Sequence, residues 1–251
     1  MSPAPIALSL GEPAGIGPEI AVKAWRALER TGPVFLVVGD AESLRAAGAT
    51  IHPLREPAKA AAEFENALPV LDIPLASPAV AGRPDSAAAG QVIRWIEVGA
   101  ELARSGAASA LVTGPIAKAS LYAAGFAFPG HTELLCELAP APAGEAARGP
   151  VMMLAAADLR VSLVTIHEPL ARVAGLLSVE TIVNAGLVTA RALSRDFGIA
   201  DPRLAVAGFN PHAGESGSLG GEEIAIVAPA VAALREAGVR ATGPHPADTL
   251  F

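Results

Sequence analysis

The chain has 251 residues, 52% of them apolar, and a formal charge of -7. That length allows one large domain or two small ones around a sizeable core. The acidic balance, with no Lys/Arg cluster, excludes a nucleic-acid footprint. No apolar run reaches membrane-span length, and "MSPAPIALSL" lacks the basic start and long apolar stretch of a secretory signal, so a cytoplasmic protein is expected. Cys136 is the sole cysteine. An intrachain disulfide is therefore impossible, and a metal site would draw on His, Asp and Glu.

In chain order, β-branched or leucine-rich runs predict strands at 6–10, 34–39, 110–114, 151–156, 160–165 and 203–208. Alanine-rich stretches between them predict helices at 18–30, 87–106, 179–198 and 221–238. Pro18 suits a first helical turn, and Ile93, Ile96, Ala100 and Ala103 fall on one apolar face. Residues 139–150, "APAPAGEAARGP", read as a surface connection. The alternation predicts an α/β protein with a mostly parallel sheet.

In such sheets ligands collect at the carboxyl ends of strands. The polar residues sit there: "GEPAGIGPE" (11–19), "GPIAK" (114–118), "HEP" (167–169) and "PHAGE" (211–215) each follow a predicted strand. The first is neither a dinucleotide fingerprint nor a P-loop. It reads as an anion cradle formed by backbone N–H groups or as a tight strand-to-helix turn.

Of the histidines, His167 and His212 follow different strands, and two imidazoles with a further donor make a site for zinc, cobalt or manganese. The ordinary alternative for each is a satisfied structural histidine. Glu168 and Glu215 beside them read as helix or loop carboxylates, and His52, in "TIHPL" without polar company, as structural. In "FPGHTELL", Thr132 is a candidate N-cap with Glu133 in the first turn, while His131 and Thr132 at a helix start are candidates for holding a phosphate or carboxylate. Lys118 is either a cation for an anionic substrate or a solvated helix lysine.

Taken together, "LGEPAGIGPEI", "TGPIAKASLYAAGFAFPGHTELL", "VMMLAAADLRVSLVTIHEPL", "FNPHAGESGSLGGEEI" and "GPHPADTLF" resemble the 4-hydroxythreonine-4-phosphate dehydrogenase (PdxA) family of vitamin B6 biosynthesis, from residue 6 to the last residue. The resemblance implies the isocitrate/isopropylmalate dehydrogenase-like α/β fold: two α/β/α lobes with a cleft between them, here 1–128 and 129–251. It also implies a homodimer with its active site at the interface, NAD(P)+, and a divalent metal such as zinc, magnesium or cobalt. By motif, His131 and Thr132 contact the phosphorylated substrate, and His167 and His212 bind the metal. No motif assigns the cofactor-binding residues or the general acid or base; Lys118 and Asp248 are the candidates.

The family's pattern continues past "PADTLF" with a further metal histidine and phosphate-binding residues, for which His245 is no substitute by motif. Were the protein itself to stop at Phe251, weak metal binding, little activity and newly exposed apolar surface would be expected. The alternatives are a related dehydrogenase acting on 4-phospho-D-threonate or D-erythronate phosphate, a non-catalytic homologue, and, with little support, a phosphate acyltransferase.

Overall fold

The computed structural model describes residues 3–139 and 149–251. The predicted connection at 139–150 lies mostly outside them. The chain divides into two compact units, Met1–Pro140 and Ala141–Phe251.

In the first unit, β1 (Ile6–Ser9), β2 (Phe35–Gly39), β3 (Ile51–Pro53), β4 (Leu68–Asp72) and β5 (Ala110–Thr113) form a parallel sheet in the order β3-β4-β2-β1-β5. Ile6 pairs with Phe35 on one side and Ala110 on the other, which sets the register. β2 is buried at every position, as its unbroken apolar run requires of a central strand in a parallel sheet.

The helices of this unit are α1 (Gly17–Leu28), α2 (Ala41–Ala46), α3 (Ala60–Glu63), α4 (Ala89–Arg104), α5 (Lys118–Ala123) and α6 (His131–Leu138). Pro18 occupies the first turn of α1, where its missing N–H has no partner to lose. The buried stripe of α4 runs through Val92, Trp95, Ile96 and Gly99. The predicted face at 93, 96, 100 and 103 therefore shares only Ile96 with it. The indole decides the rotation: Trp95 is fully buried, and its Nε1 donates to the Ile73 carbonyl at 2.9 Å. Trp25 likewise donates to the Phe64 carbonyl at 2.7 Å, and the Phe64 ring meets Phe35 edge-on at 5.1 Å.

The second unit corrects the expectation for 151–156 and 160–165. β6 (Met153–Ala156) and β7 (Leu159–Ser162) are an antiparallel hairpin, with Met153 opposite Ser162. Only Ala157 and Asp158 join them, far short of the dozen or more residues a parallel crossover needs, and Ala157 opens the turn at φ 47°.

β8 (Arg203–Ala207) and β9 (Arg240–His245) then pair in parallel, with a register shift between Ala205 and Ala207. α7 (Leu170–Leu176) follows the hairpin. α8 (Val179–Arg195) starts at a capping box in which the Ser178 and Thr181 side chains each take the other's backbone N–H. The predicted helix 221–238 is a π-helical turn, Glu223–Val227, running into α9 (Ala228–Glu236). Pro229 explains the widening, since its ring would strike the Ala225 carbonyl in a regular α-helix and it has no N–H to return. Ile182, Val227 and Ala230 form one small core of this unit, and Val231, Leu234 and Ala241 another. Among the described residues no single helix is long and apolar enough to cross a membrane.

Candidate functional site

In the first unit the loops after β1 and β5 lie against each other. Glu12 N–H donates to the Pro115 carbonyl at 2.7 Å and Gly114 N–H to that of Ser9 at 2.8 Å. Gly11 makes the approach possible: its φ is +76°, and a Cβ there would lie 2.4 Å from the Pro115 oxygen. Gly11→Ala is expected to lower stability by about 1–3 kcal/mol through backbone strain, with the clash adding to it. The urea midpoint measures this, and an unshifted midpoint would contradict the contact.

Within the glycine-rich loop the buried Glu12 carboxylate accepts from the Ala14 N–H at 3.0 Å. The loop thus holds a carboxylate of its own, which favours the tight-turn reading over the anion cradle. A cavity of about 200 Å³ opens beside it, bounded by Glu12, Ala14, Leu75, Arg83 and Asp85.

At the start of α6 the N-cap is Gly130, in extended conformation, not Thr132. Thr132 is the second residue of the helix, while Glu133 does lie in the first turn. A Cβ on Gly130 would sit 3.5 Å from Glu133 Oε2 and 3.6 Å from Lys118 Nζ, so an ammonium and a carboxylate share this corner. His131 stands beside them with Nε2 buried and, among the described residues, unpartnered. Burial, and secondarily the Lys118 charge, lower its pKa from 6.5, so the ring is neutral near pH 7.

Because the folded ring resists protonation, stability falls as the pH drops below 6.5 toward the lowered value. Lys118→Met is expected to raise the His131 midpoint while leaving it below 6.5, because burial remains. An NMR titration of the ring reads this, and no change would remove Lys118 from the corner.

In the second unit His167 and His212 both follow strands, and both are exposed at left-handed backbone positions, φ 56° and 52°. His167 follows a hairpin strand, not the parallel strand expected. Glu168, just ahead of α7, pairs with Arg172 at 3.6 Å, the ordinary reading. Glu215 is exposed. The His212 Nδ1 lies 3.3 Å from the Asp248 carboxylate. His245 contacts Thr242 Oγ1 through Nε2 at 2.9 Å, and its carbonyl accepts from Gly208 N–H. His52 does have polar company, Glu63 at 3.3 Å from its Nδ1, and it remains a strand residue of β3.

The turn carrying His212 is strained. From His212 to Ser216 every residue is left-handed, and of these only Gly214 lacks a Cβ. Such backbone costs about 1–2 kcal/mol per non-glycine residue and persists only where the surroundings hold it. Sequence reasoning missed the residue at its base. Glu223 is 3% exposed, and its carboxylate accepts from the Asn210 backbone N–H at 2.6 Å and from Asn210 Nδ2 at 2.9 Å. Burial alone would raise the Glu223 pKa, but the N–H donors of Asn210, Phe209 and its own backbone outweigh it and hold the carboxyl below 4.5. Thirteen residues separate the partners. No local sequence signal links them.

Among the described residues no three His, Cys, Asp or Glu side chains gather as a metal cage. His212 is nevertheless set up to serve as one donor to a divalent cation. A carboxylate on Nδ1 selects the tautomer that leaves Nε2 free to ligate, and an imidazole held in this way is the usual metal-site arrangement.

In each unit, strands followed by glycine-rich or polar loops, with candidate imidazoles at loop and helix starts, define an α/β protein whose candidate site residues stand outside its strands. The family described as pyridoxal phosphate biosynthetic protein PdxA matches residues 32–251. The 4-hydroxythreonine-4-phosphate dehydrogenase of Caulobacter vibrioides is 61% identical over 100% of this chain and 76% of that protein, and its namesake in Xanthobacter autotrophicus is 49% identical over 100% and 73%. The crystal structure of 4-hydroxythreonine-4-phosphate dehydrogenase from Klebsiella pneumoniae superposes with a TM-score of 0.87 at 39% identity, covering 99% of this chain and 76% of that one. The chain belongs to the PdxA family, is an oxidoreductase, and has the isocitrate/isopropylmalate dehydrogenase-like fold.

Proposed function

We propose that this chain oxidises 4-phosphooxy-L-threonine with NAD(P)+ and a divalent metal, the β-keto acid so formed losing CO2 to give 3-amino-2-oxopropyl phosphate for pyridoxal phosphate synthesis. The observation that carries the reading is identity along the whole chain with relatives named for that dehydrogenase. In this reading the protein works as a cytoplasmic homodimer with active sites at the subunit interface.

His167 and His212 would hold the cation as neutral imidazoles, which leave its charge uncancelled. When bound, the cation supplies stabilisation of the negative charge that develops on the substrate, and the nicotinamide supplies the hydride acceptor. Asp248 orients the His212 ring through Nδ1. His131, neutral and with Nε2 unpartnered, would hydrogen-bond the phosphorylated substrate with Thr132 beside it. Lys118, at the same corner, would add a positive charge toward the phosphate.

The test is NAD(P)H formation by the purified chain with Zn2+, Mg2+ or Co2+, offered 4-phosphooxy-L-threonine, 4-phospho-D-threonate or D-erythronate phosphate in turn. Turnover of the first alone is expected. Turnover of only one of the others would change the substrate, and none with any of them would overturn the reading.

A further inference from the structure

We infer that Glu223 is a positioning residue: its buried carboxylate, by gripping Asn210, holds the left-handed turn 212–216 and through it sets the direction of the His212 ring. The metal-binding part of this inference rests on the function proposed above; the grip on the turn does not.

The turn is wound on itself by local bonds, among them Ala213 N–H to the Asn210 carbonyl at 3.2 Å, Ser218 N–H to the carbonyls of Glu215, at 3.2 Å, and Gly214, and Leu219 N–H to that of Gly214 at 3.0 Å. These close the turn on itself; Asn210 ties it to Glu222 and Glu223, and the His212 ring ties it to Asp248. Against them stand the four strained residues His212, Ala213, Glu215 and Ser216. The anchor lies in Asn210, directly ahead of Pro211. Its backbone N–H and side-chain amide both donate to Glu223, and the same amide reaches Glu222 Oε2 at 2.7 Å.

The glycines are placed so that the chain can close around this pair. A Cβ at Gly214 would lie 2.6 Å from Glu223 Oε2, and one at Gly220 would lie 2.2 Å from Asn210 Nδ2. Glu223 itself stands in the π-helical turn, where the wider winding ahead of Pro229 sets it among buried neighbours. Pro211 transmits the constraint, since its fixed φ couples the Asn210 amide plane to the entry of the turn. A ring on a backbone of this kind points where the turn points, so loosening the base should cost ligand geometry before it costs the fold.

Two measurements on the full chain test this, with Glu223→Gln and Glu223→Ala, and Asn210→Ser should neither Glu223 variant fold. Amide exchange at Ala213, Ser218 and Leu219 is expected to speed up by roughly tenfold or more as local opening becomes easier. Co2+ affinity, measured by calorimetry well below the melting temperature, is expected to fall roughly 10–100-fold, as for other outer-shell partners of a ligating histidine. The loss should be larger for Ala than for Gln, which keeps one acceptor for the Asn210 backbone.

Unchanged exchange would overturn the inference, because Glu223 would not be holding the turn. Faster exchange with unchanged Co2+ affinity would also overturn it, leaving a purely structural carboxylate. A wild-type chain that takes no Co2+ would instead refute the metal reading of His212, and exchange alone would then decide whether Glu223 holds the turn.

Discussion

His212→Ala is expected to lower the affinity for Co2+ or Zn2+ by more than about 100-fold, beyond what loss of an outer-shell partner costs. With phosphorylated substrate, kcat/KM is expected to fall by roughly a thousandfold, since several kcal/mol of charge stabilisation go with the cation and each 1.36 kcal/mol is tenfold in rate. Stability should hardly move, because the His212 side chain is 59% exposed and its partner Asp248 is also on the surface. Calorimetric titration with the metal and a thermal melt therefore separate a ligand from a structural histidine. An alanine variant that binds Co2+ as the wild type does would remove His212 from the site.

Trp95→Ala is expected to be the most damaging single change to the first unit. The indole is fully buried in the same core as Leu36, Val37 and Ile96, and its removal leaves both a large cavity and the Ile73 carbonyl without its donor. Large-to-small changes of this kind cost about 3–5 kcal/mol, a large share of a typical domain's stability. Trp95→Phe fills most of the space and isolates the carbonyl term, expected at about 1–3 kcal/mol. Urea unfolding of both variants gives the two values. A Trp95→Ala midpoint within error of the wild type would mean that the indole is not packed as described.

Much of the first unit is readable from its residues. Runs such as "VFLVVG" have no polar face and so belong in the middle of a parallel sheet, and Pro18 marks a helix start by its missing donor. Two strands of its sheet, the edge strand β3 and its neighbour β4, escaped. β3 covers Ile51–Pro53, a strand of three residues with a proline and a histidine, whose place comes from pairing with β4 and not from its own pattern. In α4 the period was legible but its phase was not, because the Trp95–Ile73 hydrogen bond turns the helix and joins residues 22 positions apart.

For the candidate site, the residue types and their placement were legible: His167 and His212 stand out because polar side chains and glycines cluster beyond a strand, and His131 and Thr132 because they stand at a helix start. Membership of the PdxA family was legible as well, since the motifs that carry it are contiguous. What surrounds them was settled only in three dimensions. The orphaned Nε2 of His131 beside Lys118, the carboxylate of Asp248 on the His212 ring, and the grip of Glu223 on Asn210 all join residues a dozen or more apart in sequence. A period or a motif reports a residue's neighbours along the chain. Desolvation, charge pairing and the support of a strained backbone depend on neighbours in space, and these exist only once the chain has folded.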